Sequence, residues 1–496
     1  MNWLLAVAAA AVSIPAGLRW LRIAQREHYL APATTRFAWR WWTISPVNSA
    51  LLAAAVAGVL ASFYYPGLAL VTVLAQVGPV GLRVRGSTSP LVWTSRLRRL
   101  AAVAAGLALG VYGLGAFIEA SWLIAAGLVG LPLLVDIALV LLKPVEERLG
   151  RKWVDRAARK LKTSGVEVVA ITGSYGKTTT KGYVAHLLSG VRRTLASPAS
   201  FNNRMGLARA INENLTPDTE VFVAEMGTYA PGEIAALCQW IPPKVSALVA
   251  VGPVHLERFR TEERIVEAKA EIFEEAEVGV ICVDDPRLAA LATRLGETME
   301  IVEVSTGDQG RVRVTPQGIF LDGRLIASPP DGVFEDNLAV ALGICVALGV
   351  DLSALASRLA DLPAADHRQT VIISQAGFSI IDDTFNSNPA GARRALELLQ
   401  DLGSEGAKVV VTPGMVELGR RQADENRAFA AAAAKVADHL IVVGRTNRAA
   451  LVAGSSQGTA SVTVLASREE AVAWVKENLG PGDVVLYEND LPDHYP

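Results

Sequence analysis

The sequence predicts a multi-helix membrane region plus two α/β domains, a larger parallel-sheet domain and a smaller Rossmann-like one. Three observations carry this reading. Long apolar runs fill residues 1–142 and then stop. From about residue 151, short β-branched runs alternate with amphipathic stretches and loops, the pattern of parallel βαβ architecture. After about residue 370 a strand–loop–helix pattern recurs in 378–399, 407–419 and 438–451, which marks a second unit of the same class.

The whole-chain numbers agree. A chain of 496 residues exceeds one ordinary core. Hydrophobic residues make up 51% and charged residues 19%, with a mean hydropathy of +0.32, too apolar for a plain soluble enzyme. The net charge of −2 gives no basic field and no reason to expect a nucleic-acid partner. Cys238, Cys282 and Cys345 are widely spaced and odd in number, which excludes a disulfide framework and suits a reducing compartment.

Residues 1–145 are expected to form the membrane region. Apolar segments near 2–17, 48–64, 66–82, 101–118 and 121–142 suggest about five transmembrane helices. The first lacks a basic leader and is followed by further segments, so it reads as a retained helix. Arginines cluster in 18–46 and 83–100, and further basic residues follow at Lys143, Arg148, Arg151 and Lys152. The links at 64–67 and 117–121 have no Lys or Arg. The basic-side rule then gives a multi-pass protein of the cell (inner) membrane, its N-terminus outside and its large C-terminal part cytoplasmic. Trp39, Trp41 and Trp42 stand where an interfacial aromatic belt would. Residues 146–163 read as a basic juxtamembrane linker. Within it "GRKWVDRAARKLK" is amphipathic, and either lies on anionic lipid or packs on the next domain.

In 164–362, "VEVVAITGS" reads as a buried strand and "GKTTTKGYVAHLLSG" as the helix after it. Between them lie Thr172, Gly173, Ser174, Tyr175, Gly176, Lys177, Thr178 and Thr179. Ile171 is expected to end the strand and Thr172 to begin the loop. Strand, Gly loop and helix N-terminus form an anion cradle, which makes this unit a P-loop-type ATPase domain. Lys177 reaches the outer phosphates and Thr178 a magnesium ion. The loop is two residues shorter than the common G-x-x-x-x-G-K-[ST] form. Glu225 closes a second apolar strand and so faces the ligand crevice as a magnesium ligand. His255 follows a third strand. Lys269, in the predicted helix 261–276 with Thr261 as N-cap, reads by itself as a surface lysine.

These stretches together resemble the Mur ligase family, the ATP-dependent amide-forming enzymes of cell-wall peptide assembly. Thr172-Gly173-x-x-Gly176-Lys177-Thr178-Thr179 is similar to that family's loop T-G-x-x-G-K-T-[ST]. "FNNRMG" (201–206), "AEMG…GEI" (224–234), "VGPVHLERF" (251–259) and "EAKAEIF" (267–273) follow in the family's order. "DDTFNSNPAG" (382–391) and "GMVELG" (414–419) look most like the branch that adds D-Ala-D-Ala to a nucleotide-linked tripeptide. The resemblance implies that Glu225 and His255 hold magnesium ions, two in number. It implies that Lys269 is carbamylated and serves the second ion, which overturns its surface reading. Asn337 would contact the adenine side, and Arg368 and Asp383 would reach ATP from the C-terminal domain, 363–496. Lys177, Glu225, His255 and Lys269 would be the catalytic set.

The departures fall on substrate recognition. Membrane helices stand where the family has a UDP-sugar-binding domain. Gly414 replaces the aspartate of G-D-M-x-E-L-G, Phe385 replaces a tyrosine, and "VLYENDLPDHY" (485–495) stands near a usual K-G-S stretch. The expected reaction joins a carboxylate to an amine through an acyl phosphate. The acceptor would be a lipid-linked or UDP-linked cell-wall peptide, and the amine an amino acid or dipeptide. A capsule-type poly-γ-glutamate synthetase is the enzyme alternative. A transporter or membrane scaffold with a retired ligase domain is the non-enzyme one. The few ionisable residues in the apolar segments, chiefly Glu119 and Asp136, give little support for a transport path.

Overall fold

The apolar N-terminal runs fold into helices α1 (Asn2–Arg26), α2 (Ala33–Thr43), α3 (Pro46–Ala61), α4 (Ala69–Ala75), α5 (Ser95–Phe117), α6 (Ser121–Val129) and α7 (Leu131–Ser164). This is a computed structural model, and it describes residues 1–86, 88–198, 201–330, 332–363, 370–385, 387–402 and 406–496. Trp20 and Ile23 of α1, Leu97 and Tyr112 of α5 and Val135 of α7 share one apolar core. Ser13 and Tyr112 oxygens meet inside it at 2.7 Å. Asp136 is explained by capping. Its carboxylate accepts from the Thr34 and Thr35 amides at 3.2 and 2.7 Å, satisfying the start of α2.

By length and composition, α1 and α5 each suffice to cross a membrane. The total reaches four if the bent pairs α2–α3 (113°) and α6–α7 (73°) each count as one crossing. The segment 66–82 does not match the expected span. Its helix covers Pro66–Ala75, about 15 Å of rise, half of a bilayer core. Gly78-Pro79 follows and prevents extension.

The basic stretch 150–162 belongs to α7, a single 34-residue helix. Val154, Ala157 and Leu161 bury against Leu207, Ala208 and Ile211 of α9 (Arg204–Asn214). Lys160 Nζ donates to the Ile211 and Asn212 carbonyls at 3.0 and 3.1 Å, a cation at a helix C-terminus. Of the two readings of this stretch, packing on the next domain is the one observed. The expected linker 146–163 is continuous with the last apolar helix.

The first α/β domain carries the sheet β1 (Glu167–Thr172), β2 (Thr194–Ala196), β3 (Val221–Glu225), β4 (Val245–Leu248), β5 (Val278–Cys282), β6 (Glu300–Ser305), β7 (Val312–Thr315), β8 (Gly318–Leu321) and β9 (Arg324–Ala327). The order is β2-β3-β1-β4-β5-β6-β7-β8-β9, parallel as far as β7 and antiparallel after it. β1 lies between β3 and β4, so the loop after it opens at a topological switch point, where open α/β sheets bind ligands. Helix α8 (Lys177–Leu188) follows that loop, and the buried α14 (Glu335–Ala347) packs beside it. Helix α12 (Glu262–Ala270) starts at Thr261, whose hydroxyl caps the Arg264 amide at 3.3 Å as expected.

The second sheet has β10 (Thr370–Ile373), β11 (Ser379–Asp383), β12 (Lys408–Thr412), β13 (His439–Val443), β14 (Ser461–Leu465) and β15 (Val484–Glu488) in the order β10-β11-β15-β12-β13-β14. Only the β10–β11 pair is antiparallel among these strands. Helix α16 (Pro389–Leu402) follows β11, and α17 (Gln422–Val436) uses the Ala run at 430–434 for packing. The last strand inserts between β11 and β12, so Glu488 ends beside Asp383 and near Thr412.

Candidate active site

Strand β1 runs one residue further than expected, to Thr172. The Thr172 hydroxyl donates to the Met226 carbonyl at 2.8 Å and ties the ends of β1 and β3 together. The loop is Gly173–Gly176. Ser174 Oγ donates to the Gly252 carbonyl at 3.2 Å and accepts from the Gly252 amide at 3.0 Å. Tyr175 OH donates to the Val251 carbonyl at 3.3 Å. Gly176 caps α8 at φ 81°, and a Cβ there would stand 2.2 Å from Asn337 Oδ1. Only glycine satisfies both constraints.

Lys177 Nζ donates to the carbonyl of Gly173 at 2.7 Å. Glu225, buried at the end of β3, accepts from Thr178 Oγ1 at 3.0 Å, Lys181 Nζ at 3.0 Å and Asn202 Nδ2 at 3.1 Å. Burial alone would raise its pKa, but the charges of Lys181 and Lys177 outweigh burial and lower it. Lys269 is not a surface residue. It is buried on α12, and its Nζ donates to Gly173 O at 3.0 Å. Burial first, and the charge of Lys177 second, push its pKa well below the usual lysine range.

His255 adopts a left-handed backbone, φ 56°, and its Nδ1 pairs with Glu417, which has φ 64°. Burial would raise the Glu417 pKa, but the His255 hydrogen bond and the nearby charges of His255, Arg258 and His28 hold it at about 2. A carboxylate on Nδ1 is the arrangement that orients a histidine for metal binding through its other nitrogen.

The residues expected to take the nucleotide lie between the two α/β domains. Asn337 accepts from Thr180 Oγ1 at 3.1 Å. Asn337 and Asp383 line the same small cavity of about 50 Å³, with Tyr175, Gly176, Thr179 and Arg394. Thr179 Oγ1 is buried there without a hydrogen-bond partner among the described residues. Arg394 donates to Asp336 at 3.3 Å across the domain boundary. Arg368 lies outside the described residues.

These residues fit a magnesium nucleotide. The glycine cradle and the orphan Thr179 hydroxyl suit a phosphate chain, and the paired Thr178 hydroxyl and Glu225 carboxylate suit one magnesium ion. The expected second ion is not matched by the side chains as they stand. Among the described residues no three His, Cys, Asp or Glu side chains gather to hold a metal, and an unmodified Lys269 offers no carboxylate.

Sequence reasoning missed Lys181, Asn202, Arg258 and Glu417. Lys181 stands one helical turn after Lys177 on α8, so its reach toward β3 had a spacing signal. Glu417 lies inside the quoted GMVELG stretch, but its pairing with His255, 162 residues away, had no spacing signal. Gly414 departs from the aspartate of the resemblance for a steric reason. It has φ 76°, and a Cβ would meet Asn426 Oδ1 at 2.3 Å.

Lys177, Thr178, Glu225, His255 and Lys269 all line one cavity of about 420 Å³, faced by Ser387 and Glu417 of the second α/β domain. A cleft that holds nucleotide phosphates beside two lysines, between domains that meet across it, is suited to transferring a phosphoryl group onto a second anion.

Comparison with known proteins agrees. Residues 171–336 match the Mur ligase middle domain, and residues 367–487 match the Mur ligase, glutamate ligase domain. The UDP-N-acetylmuramoyl-tripeptide–D-alanyl-D-alanine ligase of Mycobacterium leprae is 30% identical over 385 residues, covering 68% of this chain and 73% of that protein. The enzyme of the same name from Bacillus subtilis is 27% identical, covering 66% and 74%. The crystal structure of MurF ligase from Thermotoga maritima in complex with ADP superposes with a TM-score of 0.59 at 27% identity, over 69% of this chain and 80% of that one. The chain belongs to the Mur ligase family, the ATP-dependent ligases that form amide bonds.

Proposed function

We propose that this protein is a membrane-anchored, Mur-type ligase that joins a cell-wall peptide carboxylate to an amino acid or dipeptide amine at the cytoplasmic face. The observation that carries the reading is the shared cavity. It sets the phosphate loop, Glu225 and Lys269 opposite the second α/β domain. The names of the curated relatives supply the peptidoglycan context.

In the proposed reaction, a carboxylate oxygen of the acceptor attacks the γ-phosphorus of ATP and ADP leaves. The amine then attacks the acyl carbon, loses a proton, and inorganic phosphate leaves as the amide forms. Bound magnesium, held by Thr178 and Glu225, would supply charge neutralisation between the two anions. Lys177 does the same from the loop, and the helix dipole of α8 holds the phosphates in line. Carbamylated Lys269 would turn a buried cation into a carboxylate and, with His255, complete a second metal site. Ser387 and Glu417 close the other wall and exclude water from the acyl phosphate.

The membrane reading rests on α1 and α5, on the apolar side chains they expose, such as Trp3, Leu4, Leu109 and Phe117, and on the basic stretches at one end of the helices. α1 runs toward the catalytic cavity, so the reading puts Met1 on the opposite side.

The test is ADP release by the full-length protein in detergent, with amines and carboxylate acceptors supplied singly and together. Release that needs both partners, with an amide product by mass spectrometry, is expected. Release that no cell-wall precursor stimulates would remove the envelope assignment.

A further inference from the structure

We infer that the carboxyl end of α1 is the acceptor-side wall of the catalytic cavity, and that the acceptor carboxylate is carried there by a lipid-linked molecule. This rests on the ligase reading above and names its acceptor class.

The first observation is placement. Arg26, Glu27 and His28 line the same cavity as Lys177, Glu225 and Lys269. A membrane anchor alone has no reason to enter an active site. The second is that the contact is built. His28 Nε2 and Tyr229 OH lie 3.2 Å apart, with their rings stacked at 5.1 Å. Tyr229 also meets the His255 ring edge-on at 5.1 Å, so His28 is one ring away from a catalytic histidine. Glu27 is buried, with Arg258 at 3.5 Å and His494 at 3.2 Å, and the Arg258 guanidinium covers Tyr229. The third is backbone strain. His28 and Tyr29 sit at φ 58° and 60°, where L side chains are disfavoured, immediately after α1 ends. Such strain is retained where the surroundings over-determine it, commonly at ligand sites.

The chemistry of the acceptor follows from what α1 is. It is one 25-residue helix, apolar from Trp3 to Leu18 apart from Ser13, and it carries Arg19, Arg22 and Arg26 toward its end. His28 follows Arg26, the last helical residue, by two positions. A head group at His28 therefore lies at the polar end of a helix whose other end is apolar. Among the described residues of 1–145 the elements are helices alone, without the α/β crevice that nucleotides occupy. The alignment with the Mycobacterium leprae relative spans 73% of that protein. An isoprenyl diphosphate carrying a peptide carboxylate meets these constraints. Its diphosphate faces the cations Arg26 and Arg258, and its carboxylate reaches the phosphate loop.

The experiment uses the full-length protein in phospholipid vesicles and reads ADP release with one muramoyl peptide on two carriers, an isoprenyl diphosphate in the vesicle and UDP in solution. Expected is a kcat/KM about tenfold or more higher for the lipid-linked acceptor. His28→Ala raises the KM for that acceptor about fivefold or more and leaves the KM for ATP unchanged. His28→Gln, which retains a hydrogen-bonding partner for Tyr229, recovers part of the loss. Equal or better use of the UDP-linked acceptor overturns the inference while leaving the ligase reading intact. So does an unchanged acceptor KM in His28→Ala. No amide from either carrier overturns the ligase reading itself, and this inference with it.

Discussion

The Nζ atoms of Lys177 and Lys269 converge on one acceptor, the carbonyl oxygen of Gly173, at 2.7 and 3.0 Å. Two ammonium groups at one carbonyl repel each other, and Lys269 is the buried member. Burial and then Lys177 favour its neutral amine, the form that adds carbon dioxide. A carbamate would convert the repulsion into an ion pair. Lys269→Ala should therefore lower kcat about 100-fold or more, the scale of losing a preorganised charged group. Short carboxylic acids such as formate or acetate should restore part of it. Normal turnover in Lys269→Ala, measured as ADP release, would remove carbamylation from the mechanism.

Glu225 answers three donors, Thr178, Lys181 and Asn202, from inside the protein. Glu225→Gln removes the carboxylate to which the buried Lys181 donates at 3.0 Å. Breaking one side of a buried pair costs about 3–5 kcal/mol. The variant should melt lower and need more magnesium for half-maximal ADP release. Adding Lys181→Met should recover the melting temperature and not the magnesium response. If the double variant regains both, Glu225 serves only as the partner of Lys181.

The parts of this molecule that were legible in the sequence are those written locally. Strand, loop and helix of the phosphate site lie within residues 167–188, and each signals itself by period, glycine or helix start. Glu225 and His255 were legible because each follows an apolar strand. The environment of Lys269 was not, because the pattern around it on α12 is that of an ordinary amphipathic helix, and its burial comes from β1 and the loop. The pairs His255–Glu417, Thr412–Glu488 and Arg22–Asp493 join residues 162, 76 and 471 positions apart, and no spacing announces them. The segment 66–82 misled by composition. Its residues are apolar enough for a span, but Pro66, Gly67, Gly78 and Pro79 leave room for only a short helix.

Glu488 supplies a pH dependence. It is fully buried at the end of β15, accepts from Thr412 Oγ1 at 2.9 Å and from Ser387 Oγ, and lies beside Asp383. Burial first, with Asp383 adding to it, raises its pKa from 4.5 to about 7 against the two hydrogen bonds. A raised carboxyl pKa means that the folded state holds the proton longer than the unfolded one. Its contribution to stability is therefore full below pH 4.5 and is lost as the pH rises to about 7. The loss is on the order of 3 kcal/mol. Glu488→Gln should flatten this slope and raise the melting temperature above pH 7. A wild-type melting curve with no slope between these pH values that the variant removes would show that Glu488 is ionised throughout.

The carboxyl terminus is the last element to be placed, and it ties the second α/β domain to the N-terminal helices. Asp493 accepts from the Ser89 amide at 3.1 Å and from Arg22 at 3.4 Å, and Arg22 is fully buried. The Asp493 amide donates to Thr88 Oγ1 at 2.9 Å, and the His494 carbonyl accepts from Trp41 Nε1 at 2.9 Å. Tyr495 stands edge-on to Phe37 at 4.9 Å. At the other end of this strap, Asn489 at φ 64° donates its amide to the Asp383 carbonyl at 3.0 Å, and Asp383 lines the nucleotide cavity. The strap thus joins the buried Arg22 to a wall of the proposed ATP site. Asp493→Ala removes the counter-charge of Arg22, a loss of about 3–5 kcal/mol if the buried charge stays unpaired. The second domain should then dock less firmly. Its expected signs are faster limited proteolysis of the full-length protein and a KM for ATP raised about fivefold to tenfold. Asp493→Asn, which still accepts from Ser89, should fall between. If Asp493→Ala leaves both the cleavage pattern and the KM for ATP unchanged, the tail is a passive contact and the domain is held by Arg394 and Asp336 instead.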